Sequence, residues 1–221
     1  MNLQKEISDF SLFAKDLGIQ SNTLNSYQNS MTPYILEERP MRVTQMDVFS
    51  RLMMDRIIWL SGPVDQQMSD IVQAQLLFLD SVDTKDITIY INSPGGSVLH
   101  GLGIVDVMHY IKSDVSTVNI GMAASMGAVL LAAGTKGKRS SLRFSRTMIH
   151  QSSGGATGHI LDAQIAFEEW QKYNKILFDL LSEFCGRPYE EIIKDCVRDK
   201  WFSASEAKEY GIIDEVILSR K

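Results

Sequence analysis

From Ile57 onward the chain alternates short apolar runs with helical patterns, which points to an α/β fold with mostly parallel strand pairing. RIIWLSG is a short apolar run stopped at Gly62-Pro63 and reads as a buried strand. Asp65 to Ser81 then places Met68, Ile71, Val72, Leu76 and Leu79 at helical spacing. ITIYI (87–91) is a strand stopped by NSPGG. Val98 to Ile111 reads as a helix with Val98, Leu102, Val105 and Val107 or Met108 near one stripe. VSTVNI (115–120) is a strand, and a small-residue helix runs from Ser125 to Ala133. Arg146 to His150 is a strand, followed by the flexible loop SSGGATG and a long helix from Ile160 to Cys185. Pro188 opens a further helix at its first turn. Ser203 to Glu206 reads as a capping box whose short helix ends at Gly211, and IIDEVIL closes the chain as a strand.

A chain of 221 residues, 44% hydrophobic, supports one domain plus a tail. The tail is residues 1–30. LGIQSNTLNSYQNS is rich in Asn, Ser and Gln without a sustained period and reads as a leader, with an ordered helix at Leu3 to Leu17 as the alternative. The domain proper is then 31–221. A net charge of −5, with no basic run and no aromatic-basic interleaving, gives no reason to expect a nucleic-acid partner. The most apolar run, GMAASMGAVLLAAG (121–134), is shorter than the ~20 residues a bilayer span needs. The N-terminus has no apolar signal region, so a soluble, cytoplasmic protein is expected. Cys185 and Cys196 are in neither a CxxC nor a Cys/His cluster, and read as small core residues, not a disulfide or a metal site.

Three segments carry groups suited to acyl transfer. In GMAASMGA, Ser125 follows an apolar strand ending at Ile120 and opens a helix, with Ala123 and Gly127 two residues to either side. Small neighbours allow the tight strand-to-helix turn that projects a nucleophile, although the first glycine of G-x-S-x-G is absent; a structural serine is the alternative. The Met126 amide and the helix dipole there would favour developing negative charge. NSPGGS (Asn92 to Ser97) lies between a strand and a helix, and its paired glycines permit close backbone approach. It matches neither phosphate-binding glycine pattern, and an ordinary turn is the alternative. Among the four histidines, His100 and His109 fall in a helix and His159 follows a glycine loop. His150 ends a strand just before a loop, giving a base a rigid mount beside an accessible cleft; a structural role is the alternative. An acid that orients the imidazole could be Asp162, Asp179, Asp195, Asp199 or Asp214. Asp199, ahead of Trp201-Phe202 and the capping box, is the best placed, but spacing alone leaves the choice open.

The segments INSPGGS, GMAASMGA, MIHQ and RDKWFSASEAKEYGIID occur in this order, and together with MTPYILEE and DVFSRLMMDRIIWLSGPV they resemble the Clp protease family from about Met31 to the C-terminus. The resemblance implies a crotonase-like fold of repeated β-β-α units with a protruding handle at about 151–185. It implies a serine endopeptidase with Ser125 as nucleophile, His150 as base and Asp199 as the third member. The amides of Gly96 and Met126 would form the oxyanion hole. Members assemble as homo-oligomers of two stacked heptameric rings. A Clp-type AAA+ ATPase feeds unfolded polypeptides into their chamber; ATP is used by that partner, and the subunit itself needs no cofactor or metal. Gap-free matching assigns the ATPase docking pocket to Tyr90, Tyr110, Val118, Ile120 and Leu142, lying between neighbouring subunits; ordinary core residues are the alternative. One departure stands beside the motif: the family usually has proline after MIHQ, and this chain has Ser152. Two other classes compete with the peptidase. A crotonase-type acyl-CoA hydratase or hydrolase would share the fold but usually rely on carboxylates, and a non-catalytic ring subunit would lack a working triad.

Overall fold

The computed structural model describes residues 34–39, 42–154 and 159–219. The expected leader (1–30), its alternative helix, the domain start at Met31 and the 155–158 part of the glycine loop lie outside the described residues.

The fold begins with an antiparallel hairpin, β1 (Tyr34–Arg39) and β2 (Arg42–Asp47), in the register Tyr34↔Asp47 to Arg39↔Arg42. Asp47 caps helix α1 (Val48–Met54) by accepting from the Ser50 amide at 2.9 Å. Among the described residues the main sheet has seven strands: β3 (Ile57–Ser61), β4 (Ile87–Ser93), β5 (Val115–Ala124), β6 (Arg139–Leu142), β7 (Arg146–Ile149), β8 (Lys200–Ser203) and β9 (Glu215–Ile217). The parallel order is β3-β4-β5-β6-β9, and β7 branches from β5 and pairs antiparallel with β8. The helices are α2 (Gln66–Val82), α3 (Val98–Tyr110), α4 (Met126–Ala132), α5 (Ile160–Cys185), α6 (Tyr189–Asp195) and α7 (Ala204–Tyr210).

The core is built from the apolar strand runs and the inner helix faces. Leu60, Ile71, Leu76, Ile89, Ile91, Ile104, Leu130 and Leu131 are all essentially inaccessible. Burial of each such side chain contributes roughly 2 kcal/mol. On α3 the buried positions are Gly101, Ile104, Val105 and Met108. This shifts the stripe expected from the sequence, because Gly101 faces inward: a Cβ there would stand 2.3 Å from the Met126 side chain, so the missing side chain is what admits Met126.

Strand β5 continues to Ala124 instead of ending at Ile120. Asparagine side chains carry it past Gly121. Asn92 Oδ1 accepts from the Met122 amide at 3.2 Å and Asn119 Oδ1 from the Gly121 amide at 3.2 Å, where the register against β4 jumps from Ile91↔Asn119 to Ser93↔Ala123. The long strand serves two neighbours. Thr117 to Asn119 pair with β6, and Met122 to Ala124 pair with β7. Buried Asn119 fixes the step between them, donating to the Arg146 carbonyl at 3.0 Å while its own carbonyl accepts from Ser145 Oγ at 3.1 Å. β7 is thereby delivered to the C-terminal end of β5.

Helix α5 buries Leu177, Phe178 and Leu181, all in its C-terminal half, while Ile160, Leu161, Ile165 and Phe167 are exposed. Among the described residues no helix is long and apolar enough to cross a membrane.

Candidate active site

Ser125 stands between the last residue of β5 and the first of α4, with φ 55° and ψ −122°. Such backbone is costly for a residue with a Cβ, and the surroundings hold it. The Ser125 amide donates to the Met148 carbonyl at 2.8 Å, and the Ser125 carbonyl accepts from the Ala128 amide at 3.0 Å. The small neighbours have a visible reason. A Cβ on Gly127 would stand 3.0 Å from the Ser93 carbonyl oxygen. This is the sharp strand-to-helix elbow that exposes a hydroxyl.

His150 follows the last residue of β7. Its Nε2 lies 2.8 Å from Ser125 Oγ and its Nδ1 lies 2.9 Å from Asp199 Oδ1. An ionised carboxylate only accepts, so Nδ1 carries the proton and Nε2 is left to accept from the serine hydroxyl. Asp199 immediately precedes β8, and the β7–β8 ladder explains its position. That ladder runs from Arg146↔Ser203 to Ile149↔Lys200, so the next residues beyond its end are His150 and Asp199. Gln151 reinforces this by donating its amide to the Cys196 carbonyl at 2.7 Å and its side chain to the Val197 carbonyl at 3.2 Å.

The other aspartates have different partners or none in the site. Asp195 is bonded by Lys200 Nζ at 2.7 Å and Tyr210 Oη at 2.9 Å. Burial pulls its carboxyl up, but those two bonds outweigh burial and hold it below its ordinary range. Asp214 clamps buried Arg139 through two bonds of 2.7 and 2.9 Å. Asp162 and Asp179 are exposed on α5. His109 Nε2 lies 3.1 Å from the Ala133 carbonyl, and His159 is exposed at the start of α5. Burial pushes the Cys185 thiol up to about 11 and the Cys196 thiol up to about 12, so neither is a thiolate at neutral pH.

The Gly95-Gly96 turn packs directly on the elbow. A Cβ on Gly95 would stand 2.6 Å from Ser125 Cβ and 3.0 Å from the Met126 amide nitrogen. Gly95 and Gly96 have φ of 92° and 153°. Val64 pairs with Gly96 by donating its amide to the Gly95 carbonyl at 2.9 Å and accepting from the Ser97 amide at 2.7 Å. In such a parallel bridge the N–H of Gly96 itself faces away from Val64.

Tyr90, Val118, Ile120 and Leu142 line one open cavity of about 790 Å³, together with Phe144 and Ile217. Tyr110 is outside that lining, 81% exposed at the end of α3. Asn119 and Gln151 hold β7 and the Asp199 turn in place. In the sequence Asn119 is marked only as a polar residue near the end of an apolar run, and Gln151 only as the last residue of MIHQ.

Comparisons with known proteins establish the family. The Clp protease family model matches residues 39–220. The chain is 53% identical over 220 residues to the ATP-dependent Clp protease proteolytic subunit of Bacteroides fragilis strain YCH46, covering 97% of this chain and 100% of that protein. The subunit of the same name from Bacteroides thetaiotaomicron is also 53% identical, with the same coverage. The Porphyromonas gingivalis counterpart is 50% identical over 217 residues, covering 96% of this chain and 98% of that protein. An α/β elbow carrying Ser125, nearly complete matches to proteolytic subunits and a family model spanning most of the sequence lead to one conclusion: the chain belongs to the Clp protease family and is a serine-type endopeptidase.

Proposed function

We propose that Ser125, His150 and Asp199 hydrolyse peptide bonds of unfolded polypeptides through an acyl-enzyme. The observation that carries this reading is the continuous bonded path from Ser125 Oγ to His150 Nε2 at 2.8 Å and from His150 Nδ1 to Asp199 at 2.9 Å. Ser125 Oγ attacks the scissile carbonyl carbon while its proton passes to His150 Nε2. Asp199 keeps the proton on Nδ1 and stabilises the imidazolium. The tetrahedral oxyanion accepts from the amides of Gly96 and Met126. As the C–N bond breaks, His150 returns the proton to the leaving amine. A water then attacks the acyl-enzyme with His150 again as base, releasing the carboxylate product and restoring Ser125. No step draws on a cofactor in this subunit.

The matched relatives are named as subunits of an ATP-dependent protease, which supports assembly with an ATPase that consumes the ATP. We place the chain in homo-oligomers of two stacked seven-membered rings, in the cytoplasm, fed with unfolded chains by a Clp-type AAA+ partner. The cavity lined by Tyr90, Val118, Ile120 and Leu142 supports a docking role for an apolar partner loop. Exposed Tyr110 would complete that pocket from a neighbouring subunit. Residues 1–30 are read as a leader removed near Met31 during maturation.

The test is peptide hydrolysis by single variants. Ser125→Ala should lose activity by about 10⁶-fold and His150→Ala comparably, with assembly retained. His100→Ala and His159→Ala should keep it. Near-normal turnover by purified Ser125→Ala would remove the serine from the chemistry.

A further inference from the structure

We propose that Ser152, Asn174 and Trp170 form a positioning latch through which α5 holds the end of β7, and with it His150, at the distance proton transfer from Ser125 requires. The inference rests on the triad reading above. It starts from the departure at Ser152. Proline there would have no N–H to give. The serine donates its amide to Asn174 Oδ1 at 2.9 Å, and its hydroxyl lies 3.0 Å from the same oxygen. Trp170 Nε1 donates to Ser152 Oγ at 2.6 Å. Since the indole only donates, the serine oxygen accepts from Trp170 and spends its own proton on Asn174. Each of the three bonds in this trio thus has one assigned direction.

The latch has a firm foundation on the helix side. Trp170 and Asn174 are four residues apart and so share a face of α5. Asn174 lies one turn before Leu177 and Phe178, where the helix becomes anchored in the core. The indole is held edge-to-face against Phe167 with centroids 6.3 Å apart. Gly154 lies so close that a Cβ on it would stand 3.2 Å from Trp170 Cζ2. On the catalytic side, Ser152 is two residues from His150, beyond the last β7–β8 ladder pair at Ile149↔Lys200. Gln151 binds the backbone beside Asp199 and Ser152 binds α5, so His150 is braced from two directions. A shift of about 1 Å at reacting atoms can cost ~10²-fold in rate, so a brace this near the base bears on turnover.

The experiment uses the assembled full chain. It measures the rate of fluorophosphonate labelling at Ser125 together with kcat and KM for a short peptide. Asn174→Ala should lower the labelling rate and kcat by about tenfold while changing KM less than about twofold. Asn174→Asp keeps an acceptor oxygen for both serine bonds and should restore the labelling rate to within about twofold of wild type. Trp170→Phe keeps the aromatic packing but lacks the donor, and should lose about threefold. Wild-type labelling rates in Asn174→Ala, or an equal loss in Asn174→Asp, overturn the latch. If Asn174→Ala fails to assemble, Trp170→Phe decides: an unchanged labelling rate overturns the proposal. Wild-type protein that is not labelled at Ser125 overturns the triad reading beneath it, an outcome distinct from a labelled wild type with an equally labelled Asn174→Ala.

Discussion

Ile149 and Lys200 form the last pair of the antiparallel β7–β8 ladder, and the next residue outward on each strand is His150 and Asp199. The hydrogen bond between those two side chains is therefore a product of strand register. Asp199 is well exposed, its side chain at 60%, so its proposed orienting of His150 rests on this geometry and not on enclosure. Asp199→Asn should leave the ladder intact but reverse the favoured imidazole tautomer. We expect kcat to fall by about 10⁴-fold with oligomer size unchanged, measured by peptide hydrolysis alongside size-resolved chromatography.

The glycine turn gives a steric prediction. A methyl group at Gly95 would collide with Ser125 Cβ at 2.6 Å and crowd the Met126 amide at 3.0 Å, on a backbone with φ of 92°. By crowding the Met126 amide, one of the two proposed oxyanion donors, Gly95→Ala should therefore reduce kcat by the ~10²-fold that losing such a donor costs. Gly137→Ala is the matched control, since Gly137 also has positive φ but nothing within 4 Å of the added Cβ. It should cost only backbone strain, about 1 kcal/mol, with near-wild-type kcat. Equal losses of activity in the two variants would count against the crowding argument.

Arg139 and Asp214 give a pH prediction. Burial raises the Asp214 carboxyl, but bonds from Arg139 outweigh it and the net shift is downward. A depressed folded-state value means the stabilisation is fully present above the unfolded carboxylate range, near pH 4, and is lost as pH falls through the folded value. Asp214→Asn should thus destabilise by roughly 3 kcal/mol at pH 7, and the gap to wild type should close in strong acid. Unfolding measured between pH 7 and 3 checks this, and a gap that widens on acidification has the wrong sign.

Docking is tested by separating two activities. Tyr90→Ala should weaken ATPase-driven degradation of a folded protein, while cleavage of a short peptide falls much less. Tyr90 lines the cavity and also stacks on Trp59 with centroids 6.0 Å apart, so Leu142→Ala, at a more exposed position, provides a second variant. Equal loss of both activities in both variants points to core damage.

The strand-helix alternation, the capping box at Ser203 and the long α5 were legible because each is a local pattern. Ser125, set among small residues after an apolar run, and His150, at the end of an apolar run before a loop, stand out as local patterns in the same way; their catalytic roles are the proposal. Asp199 was not decidable from spacing, because its place depends on β8, whose sequence KWFS has only one buried residue and no clear alternation. β6 was equally hidden, since RSSL buries Arg139, Ser140 and Ser141, whose side chains are satisfied by Asp214, the Thr117 carbonyl of β5 and the Leu142 carbonyl respectively. The sequence pattern ends β5 early because its continuation past Gly121 depends on Asn92, thirty residues before Met122, a contact that no window along the chain contains; the Asn119 bond to Gly121 is local but leaves no apolar signal. Ser152 was visible as a departure, but its partners Trp170 and Asn174 lie 18 and 22 residues away.

If Ser125 is the nucleophile and His150 activates it, a fluorophosphonate will react with that serine alone, and mapping the adduct decides the matter. Wild-type protein should carry one adduct per subunit, on Ser125, and His150→Ala should lose the labelling. An adduct on another residue, or undiminished labelling in His150→Ala, would contradict it.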